Sequence, residues 1–98
     1  MLTFFGSYKK PHEHEHMSKD CIIINLSLSG IAFKINNDLT IKENDELIVK
    51  FTLDNKEKYK IEKSIKICYI DSENGIAGGE FLYSKIGSYD KQIYYYLK

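Results

Sequence analysis

The stretch Asn25-Leu26-Ser27-Leu28-Ser29-Gly30 lies between two apolar runs, at residues 21–24 and 31–35. β-Branched and aromatic residues dominate both runs, which predicts two strands joined by a polar turn. Asn and Ser bond nearby backbone groups in turns, and Gly adopts backbone conformations that other residues avoid. The stretch therefore predicts a hairpin, in which Asn and Ser can be used to stabilise the turn itself while Gly takes a positive φ.

The rest of the chain repeats this pattern of short apolar runs and polar turns. Leu2-Thr3-Phe4-Phe5 predicts a brief strand, followed by a polar excursion over residues 6–17. Later runs predict strands at residues 47–53, 59–67 and 76–83, with polar turns that include a hairpin turn at 54–56. Closely spaced turns of this kind are typical of an antiparallel barrel or sandwich and not of βαβ units.

The period of the apolar residues changes near the end of the chain. Steps of three and four predict an amphipathic helix that begins after an N-cap at Ser88. The residues that recur at these steps are Ile86, Tyr89, Ile93, Tyr94 and Leu97.

Composition limits the class of protein. A chain of 98 residues with 43% hydrophobic residues predicts one domain over residues 1–98. Fourteen lysines balance 14 acidic residues and arginine is absent, which argues against binding to duplex nucleic acid. No apolar stretch is long enough to insert into a membrane and no signal peptide is present, so we expect a cytoplasmic protein.

The two cysteines lie in apolar runs far apart in the sequence. We interpret Cys21 and Cys68 as reduced thiols in the core. Their spacing fits no structural zinc site, and we expect no cofactor.

The spacing Asn25-x-Ser27-x-x-Gly30 resembles the (Asp/Asn)-x-Ser-x-x-Gly motif of the bacterial PilZ domain family. Gly75-Ile76-Ala77-Gly78-Gly79-Glu80-Phe81 resembles the last strand of that family. The resemblance implies an all-β fold, a six-stranded antiparallel barrel with one C-terminal helix. It also implies a signalling domain that binds the nucleotide cyclic di-GMP, with Asn25, Ser27 and Gly30 as ligand-binding residues.

The chain departs from the family at one element. Ligand-binding members carry Arg-x-x-x-Arg roughly twenty residues before the Asn motif, where this sequence begins with Met1-Leu2-Thr3-Phe4-Phe5. Either the segment lies upstream or the protein lacks it. Lys9 and Lys10 are the nearest cations and are weaker candidates for contacting the anionic ligand, because lysine cannot form the bidentate contacts of arginine. Each missing contact is expected to cost about 1–3 kcal/mol of binding free energy.

Two conspicuous stretches receive structural interpretations. His12-Glu13-His14-Glu15-His16 is taken as a solvated hairpin tip and not as a metal site. Gly78-Gly79-Glu80-Phe81 spells a signature of diguanylate cyclases, and is taken as a strand with closely packed glycines. No catalytic constellation is present in the sequence, so we expect a protein that is not an enzyme.

Two functions remain open. The first is a cyclic di-GMP receptor or adaptor that changes its contacts with an unidentified protein partner. The alternative is a degenerate PilZ domain that binds no nucleotide and acts as a protein–protein interaction module.

Overall fold

Six antiparallel strands close into a barrel in the computed structural model, which describes residues 4–36, 38–53, 58–82 and 91–97. The strands are β1 (Phe4–Lys9), β2 (Lys19–Leu26), β3 (Gly30–Lys34), β4 (Glu46–Thr52), β5 (Lys60–Asp71) and β6 (Ile76–Phe81). Their order around the barrel is β1-β2-β3-β6-β5-β4. The predicted all-β fold with six antiparallel strands is confirmed.

The barrel interior is filled by apolar side chains that alternate with outward-facing residues along the strands. In β4, for example, Leu47, Val49 and Phe51 are buried while their neighbours are more exposed. This alternation follows from the two-residue period of a strand. The largest fully buried side chains are Phe33, Ile23, Leu47, Leu53, Ile65, Ile67, Ile93 and Val49.

Strand β1 extends into the stretch that was predicted to be a polar excursion. Ser7 and Lys9 lie in β1, and the intervening Tyr8 is only 3% exposed. One buried aromatic among polar neighbours is enough to define the inward face of a strand at this position. The excursion instead covers residues 10–18 and contains a short 3₁₀ helix, Glu15–Met17. Leu2 and Thr3 lie outside the described residues.

The described end of the chain contains one short helical segment, α1 (Lys91–Leu97), of seven residues. Ile93 is fully buried and Tyr96 packs against the core. The expected N-cap, Ser88, and the expected turn at residues 54–56 lie outside the described residues. Among the helices that the structure describes, none is long and apolar enough to cross a membrane.

Strands β3 and β6 approach closely at Gly30. A Cβ atom at this position would overlap the carbonyl oxygen of Gly79 on the neighbouring strand. Among the described glycines, Gly75 has a positive φ, of 66°, whereas Gly30 does not. The expectation of a positive φ at Gly30 is therefore wrong, because the residue is needed for the space between two strands.

The two cysteines differ in environment. Cys21 is buried, and burial raises the pKa of its thiol to about 12. Cys68 is exposed, so its predicted place in the core is wrong. The reason is a register irregularity between Ile67 and Tyr69, which leaves Cys68 without a partner on β6.

Asp38 joins the segment after β3 to two strands. Its carboxylate accepts hydrogen bonds from the Tyr8 hydroxyl at 2.7 Å and the Lys19 ammonium at 2.8 Å. It also accepts from the backbone N–H of Thr40 at 2.9 Å and from the Thr40 hydroxyl. Burial alone would raise the pKa of Asp38, but the bonds from Lys19, Thr40 and Tyr8 outweigh it and hold that pKa well below its usual range.

Replacing Asp38 with Asn should lower the free energy of unfolding at pH 7 by about 2 kcal/mol, because the charged acceptor of several bonds is lost. A group with a depressed folded-state pKa stabilises the fold above its unfolded pKa, and this stabilisation fades at lower pH. The difference between wild type and Asp38→Asn should therefore shrink below about pH 4. Urea titrations across this pH range measure it. The exposed control Asp20→Asn should show neither effect, and a pH-independent difference would contradict this role for Asp38.

Gly30→Ala should destabilise the barrel by about 1–3 kcal/mol, because β3 and β6 must separate to admit the methyl group. Thermal melts followed by circular dichroism measure the change. Ser72→Ala, in the exposed turn between β5 and β6, is the control and should leave the melting temperature unaltered. An unchanged melting temperature in Gly30→Ala would show that the close approach does not constrain the seam.

Candidate functional site

The turn at residues 25–30, here called the 25–30 turn, is held by its own serine. The Ser27 N–H donates to the Gly30 carbonyl at 2.9 Å. The Ser27 hydroxyl oxygen accepts from the N–H groups of Gly30 and Ser29 at 3.1 and 3.3 Å. Ser27 therefore mainly stabilises the turn, which is the structural role that the sequence predicted for it.

The 25–30 turn is also attached to the neighbouring strand. The carbonyl oxygen of Ser29 accepts a hydrogen bond from the N–H of Phe81 at 2.8 Å. Together with the Gly30–Gly79 approach, this bond fixes the turn against the end of β6.

The Asn25 side chain, unlike that of Ser27, is not used in holding the turn. It is exposed, and its amide makes no hydrogen bond to any residue that the structure describes. A register irregularity between Ile23 and Asn25 directs the side chain outward. Without this bulge, the alternation of buried Cys21 and Ile23 would direct Asn25 into the barrel.

A second bulge has the same effect on the opposite side of the site. Ile65 and Ile67 are fully buried, so strict alternation would place Tyr69 in the core. The extra residue Cys68 instead turns Tyr69 outward, where it is 48% exposed.

The bulges in β2 and β5 place Asn25 and Tyr69 at the two ends of one row of outward residues, which crosses β2, β3, β6 and β5. Asn25 of β2 faces Ala32 of β3, Ala32 faces Gly78 of β6, and Gly78 faces Tyr69 of β5. Ala32 and Gly78 are small, so no large side chain of β3 or β6 stands between the Asn25 amide and the Tyr69 ring. A Cβ atom at Gly78 would fall within the Tyr69 ring, which shows that the ring lies over this glycine.

This row forms part of a shallow groove with a volume of about 230 Å³. The groove is lined by Asn25, Ser27, Ser29, Gly30, Ile31, Ala32, Cys68, Tyr69, Gly78, Gly79 and Glu80. Three residues of the predicted site, Asn25, Ser27 and Gly30, are thus brought together. Glu80 carries the one charge among these lining residues.

The two predicted cations lie elsewhere. Lys9 ends β1 next to Tyr8, which pairs with Lys19 at the beginning of β2, whereas Asn25 lies near the end of β2. At about 3.3 Å per residue, this separation is roughly 20 Å. The Lys9 ammonium donates to the Glu13 carbonyl at 2.9 Å, and the Lys10 N–H donates to the Glu13 carboxylate at 2.8 Å. Both lysines therefore stabilise the connection between β1 and β2.

The histidine-rich stretch lies in the same connection. His12, His14 and His16 are exposed, and the rings of His14 and His16 stack with centroids 5.6 Å apart. Across the described part of the chain, no three His, Cys, Asp or Glu side chains form a group that could hold a metal ion.

Gly78 and Gly79 lie in the interior of β6, as predicted for closely packed glycines of a strand. A Cβ atom at Gly79 would lie 2.9 Å from the carbonyl oxygen of Lys66 on β5. The stretch that spells a cyclase signature thus forms one wall of the barrel.

Sequence reasoning missed Tyr69 and Glu80 as residues of the site. Tyr69 falls on the inward face when β5 is assumed to alternate without interruption. Glu80 is one of 14 acidic residues, and its only signal is the outward position two residues after Gly78 in β6.

Comparison with known proteins identifies a fold and no family. No protein-family model matches the chain, and no curated protein matches it. Among solved structures, the chain is similar to the inhibitor of motility MotI/DgrA of Bacillus subtilis, with a TM-score of 0.70 and 16% sequence identity. The match covers 98% of this chain and 46% of that chain, so the chain spans about half the length of MotI/DgrA. The likeness supports a PilZ-like fold.

Proposed function

We propose that this chain is a cytoplasmic signalling domain that binds cyclic di-GMP in the groove beside the 25–30 turn. It would act as a receptor or adaptor, by binding and not by catalysis. The observation that carries the proposal is the exposed Asn25 amide, which has no partner among the described residues and opens onto this groove. The PilZ-like fold supports the proposal, since the (Asp/Asn)-x-Ser-x-x-Gly spacing resembles the motif of that family.

Each residue of the motif has a separate role in this proposal. The Asn25 amide offers both donors and an acceptor, which suit the edge of a base. Ser27 acts by holding the turn, through its bonds to Ser29 and Gly30. Gly30 allows the turn to lie against β6, so the ligand can approach the sheet closely.

The groove offers fewer contacts to the phosphates of the ligand than to its bases. The groove residues include no cation, and Lys9 and Lys10 lie near the opposite end of β2. Lys66, which faces Glu80 across the β5–β6 ladder, is the lysine best placed to approach a phosphate at the groove's edge. Because a point charge replaces bidentate arginine contacts, we expect a dissociation constant on the order of 100 µM.

Calorimetric titration of the 98-residue chain with cyclic di-GMP tests the proposal. Asn25→Ala should weaken binding about tenfold, because one set of base contacts is worth about 1–3 kcal/mol. Lys10→Ala is the control, since it removes a cation away from the groove, and its affinity should equal that of the wild type. Circular dichroism melts of both variants establish that the barrel remains folded.

An absence of binding heat at several hundred micromolar cyclic di-GMP would overturn the proposal for this chain. The function would then be that of a nucleotide-independent interaction module. Equal affinities of wild type and Asn25→Ala would show instead that the nucleotide binds elsewhere on the barrel.

A further inference from the structure

We propose that the groove seats a single guanine base, with Tyr69 as its stacking platform and Glu80 as the acceptor for its Watson–Crick edge. This inference rests on the proposed function in taking a guanine nucleotide as the ligand. It adds which part of the nucleotide enters the groove and which residues distinguish guanine from other bases.

The size of the groove favours one base over a whole cyclic dinucleotide. Its volume of about 230 Å³ lies below the roughly 300–1,000 Å³ of pockets that enclose a drug-sized ligand. Ala32 forms a floor without a large side chain, beside the Tyr69 ring that covers Gly78. A planar group can therefore lie close to the sheet, while the remainder of the nucleotide stays outside.

Tyr69 supplies an aromatic surface beside this floor. Its ring lies over Gly78, and the side chain is 48% exposed. A side chain at position 78 would displace the ring, so the glycine determines where the aromatic surface stands. Stacking of a base on an aromatic side chain contributes substantially to nucleotide affinity and needs no particular base.

Glu80 supplies the means of discrimination. It is exposed, lines the groove, and follows Gly78 by two residues on the same face of β6. Its carboxylate makes no hydrogen bond to a described residue. Guanine presents two adjacent donors, N1–H and the 2-amino group, which match the two oxygens of one carboxylate. Adenine has an unprotonated N1 and cannot make this pair of bonds.

The charge of the groove also favours a ligand that places its base, and not its phosphate, in the groove. A carboxylate repels phosphate but attracts the donor edge of a neutral base. Because Glu80 is the one charged residue among the lining residues, the base is the part of a guanine nucleotide that suits this position. Lys66 faces Glu80 on β5, so a cation lies beside the groove without lining it.

Guanosine and inosine 5′-monophosphates test the role of Glu80, because they differ only in the 2-amino group. Their affinities are measured by NMR titration of the ¹⁵N-labelled chain. The wild type should bind the guanosine nucleotide about tenfold more tightly, since one charge-assisted hydrogen bond is lost with inosine. Glu80→Gln should reduce this preference to within about twofold, because its carboxamide has one acceptor oxygen, and should weaken the inosine nucleotide less than the guanosine nucleotide.

Tyr69 variants test the stacking platform separately. Tyr69→Leu should weaken both nucleotides about tenfold, whereas Tyr69→Phe should preserve binding. Gly78→Ala keeps the tyrosine but displaces its ring, and should weaken both nucleotides to a similar extent. Tyr59→Leu is the matched control, because Tyr59 is 42% exposed and lies outside the groove.

The results separate this inference from the proposed function. Guanosine nucleotide binding that depends on Glu80 and Tyr69, without cyclic di-GMP binding, would support the base site and overturn the receptor proposal. Cyclic di-GMP binding that depends on Asn25 but is insensitive to Glu80→Gln and Tyr69→Leu would overturn the base site alone. Equal affinities for the two mononucleotides, or no saturable binding of either, would also overturn it.

Discussion

Strands β3 and β6 lie so close at Gly30 that a single methyl group would overlap the backbone of Gly79. The β3–β6 ladder is one of two that join the β1–β2 side of the barrel to the β4–β5 side, the other being β1–β4, so barrel closure depends on it. The same contact brings the 25–30 turn against the end of β6, where Phe81 donates to Ser29. The close approach of β3 and β6 therefore contributes to barrel closure and also positions the 25–30 turn.

Two bulges turn side chains of the candidate site away from the barrel core. A closed barrel fills its interior with one face of every strand, so a site on the outer face needs side chains that leave this alternation. The extra residues Ile24 and Cys68 reverse the direction of Asn25 and Tyr69 while Leu26 and Ile70 still pack inward. Substitutions of the outward Asn25 and Tyr69 are thus expected to affect binding more than folding, in contrast to Gly30.

The parts of the fold that the sequence predicted are those that depend on local pattern. The apolar runs around the 25–30 turn and at residues 47–53 correspond to β2, β3 and β4 because burial and β-branching agree there. The end of β1 was placed too early, at Phe5 and not at Lys9, because its continuation depends on Tyr8, one buried residue among polar neighbours. The outward positions of Cys68 and Tyr69 could not be predicted from the sequence pattern, since a bulge is defined by pairing with another strand.

The candidate site divides in the same way. Asn25, Ser27 and Gly30 were found because a short turn carries them in one continuous stretch of sequence. Lys9 and Lys10 were grouped with them by proximity in sequence, although β2 spans the barrel and places them near its opposite end. Glu80 lay 50 residues from Gly30 in sequence and yet directly faces it across the β3–β6 ladder.

The charge of the groove constrains any function that involves an anionic nucleotide. Its one charged lining residue is an acid, and the 98 residues contain no arginine to form a bidentate bond with phosphate. We therefore expect affinity for such a ligand to come mainly from contacts to its neutral part, through stacking and hydrogen bonds to a base edge. Contacts of this kind depend weakly on ionic strength, whereas binding through phosphate weakens steeply as salt is added. A salt titration of the affinity would consequently report which part of the nucleotide the groove holds.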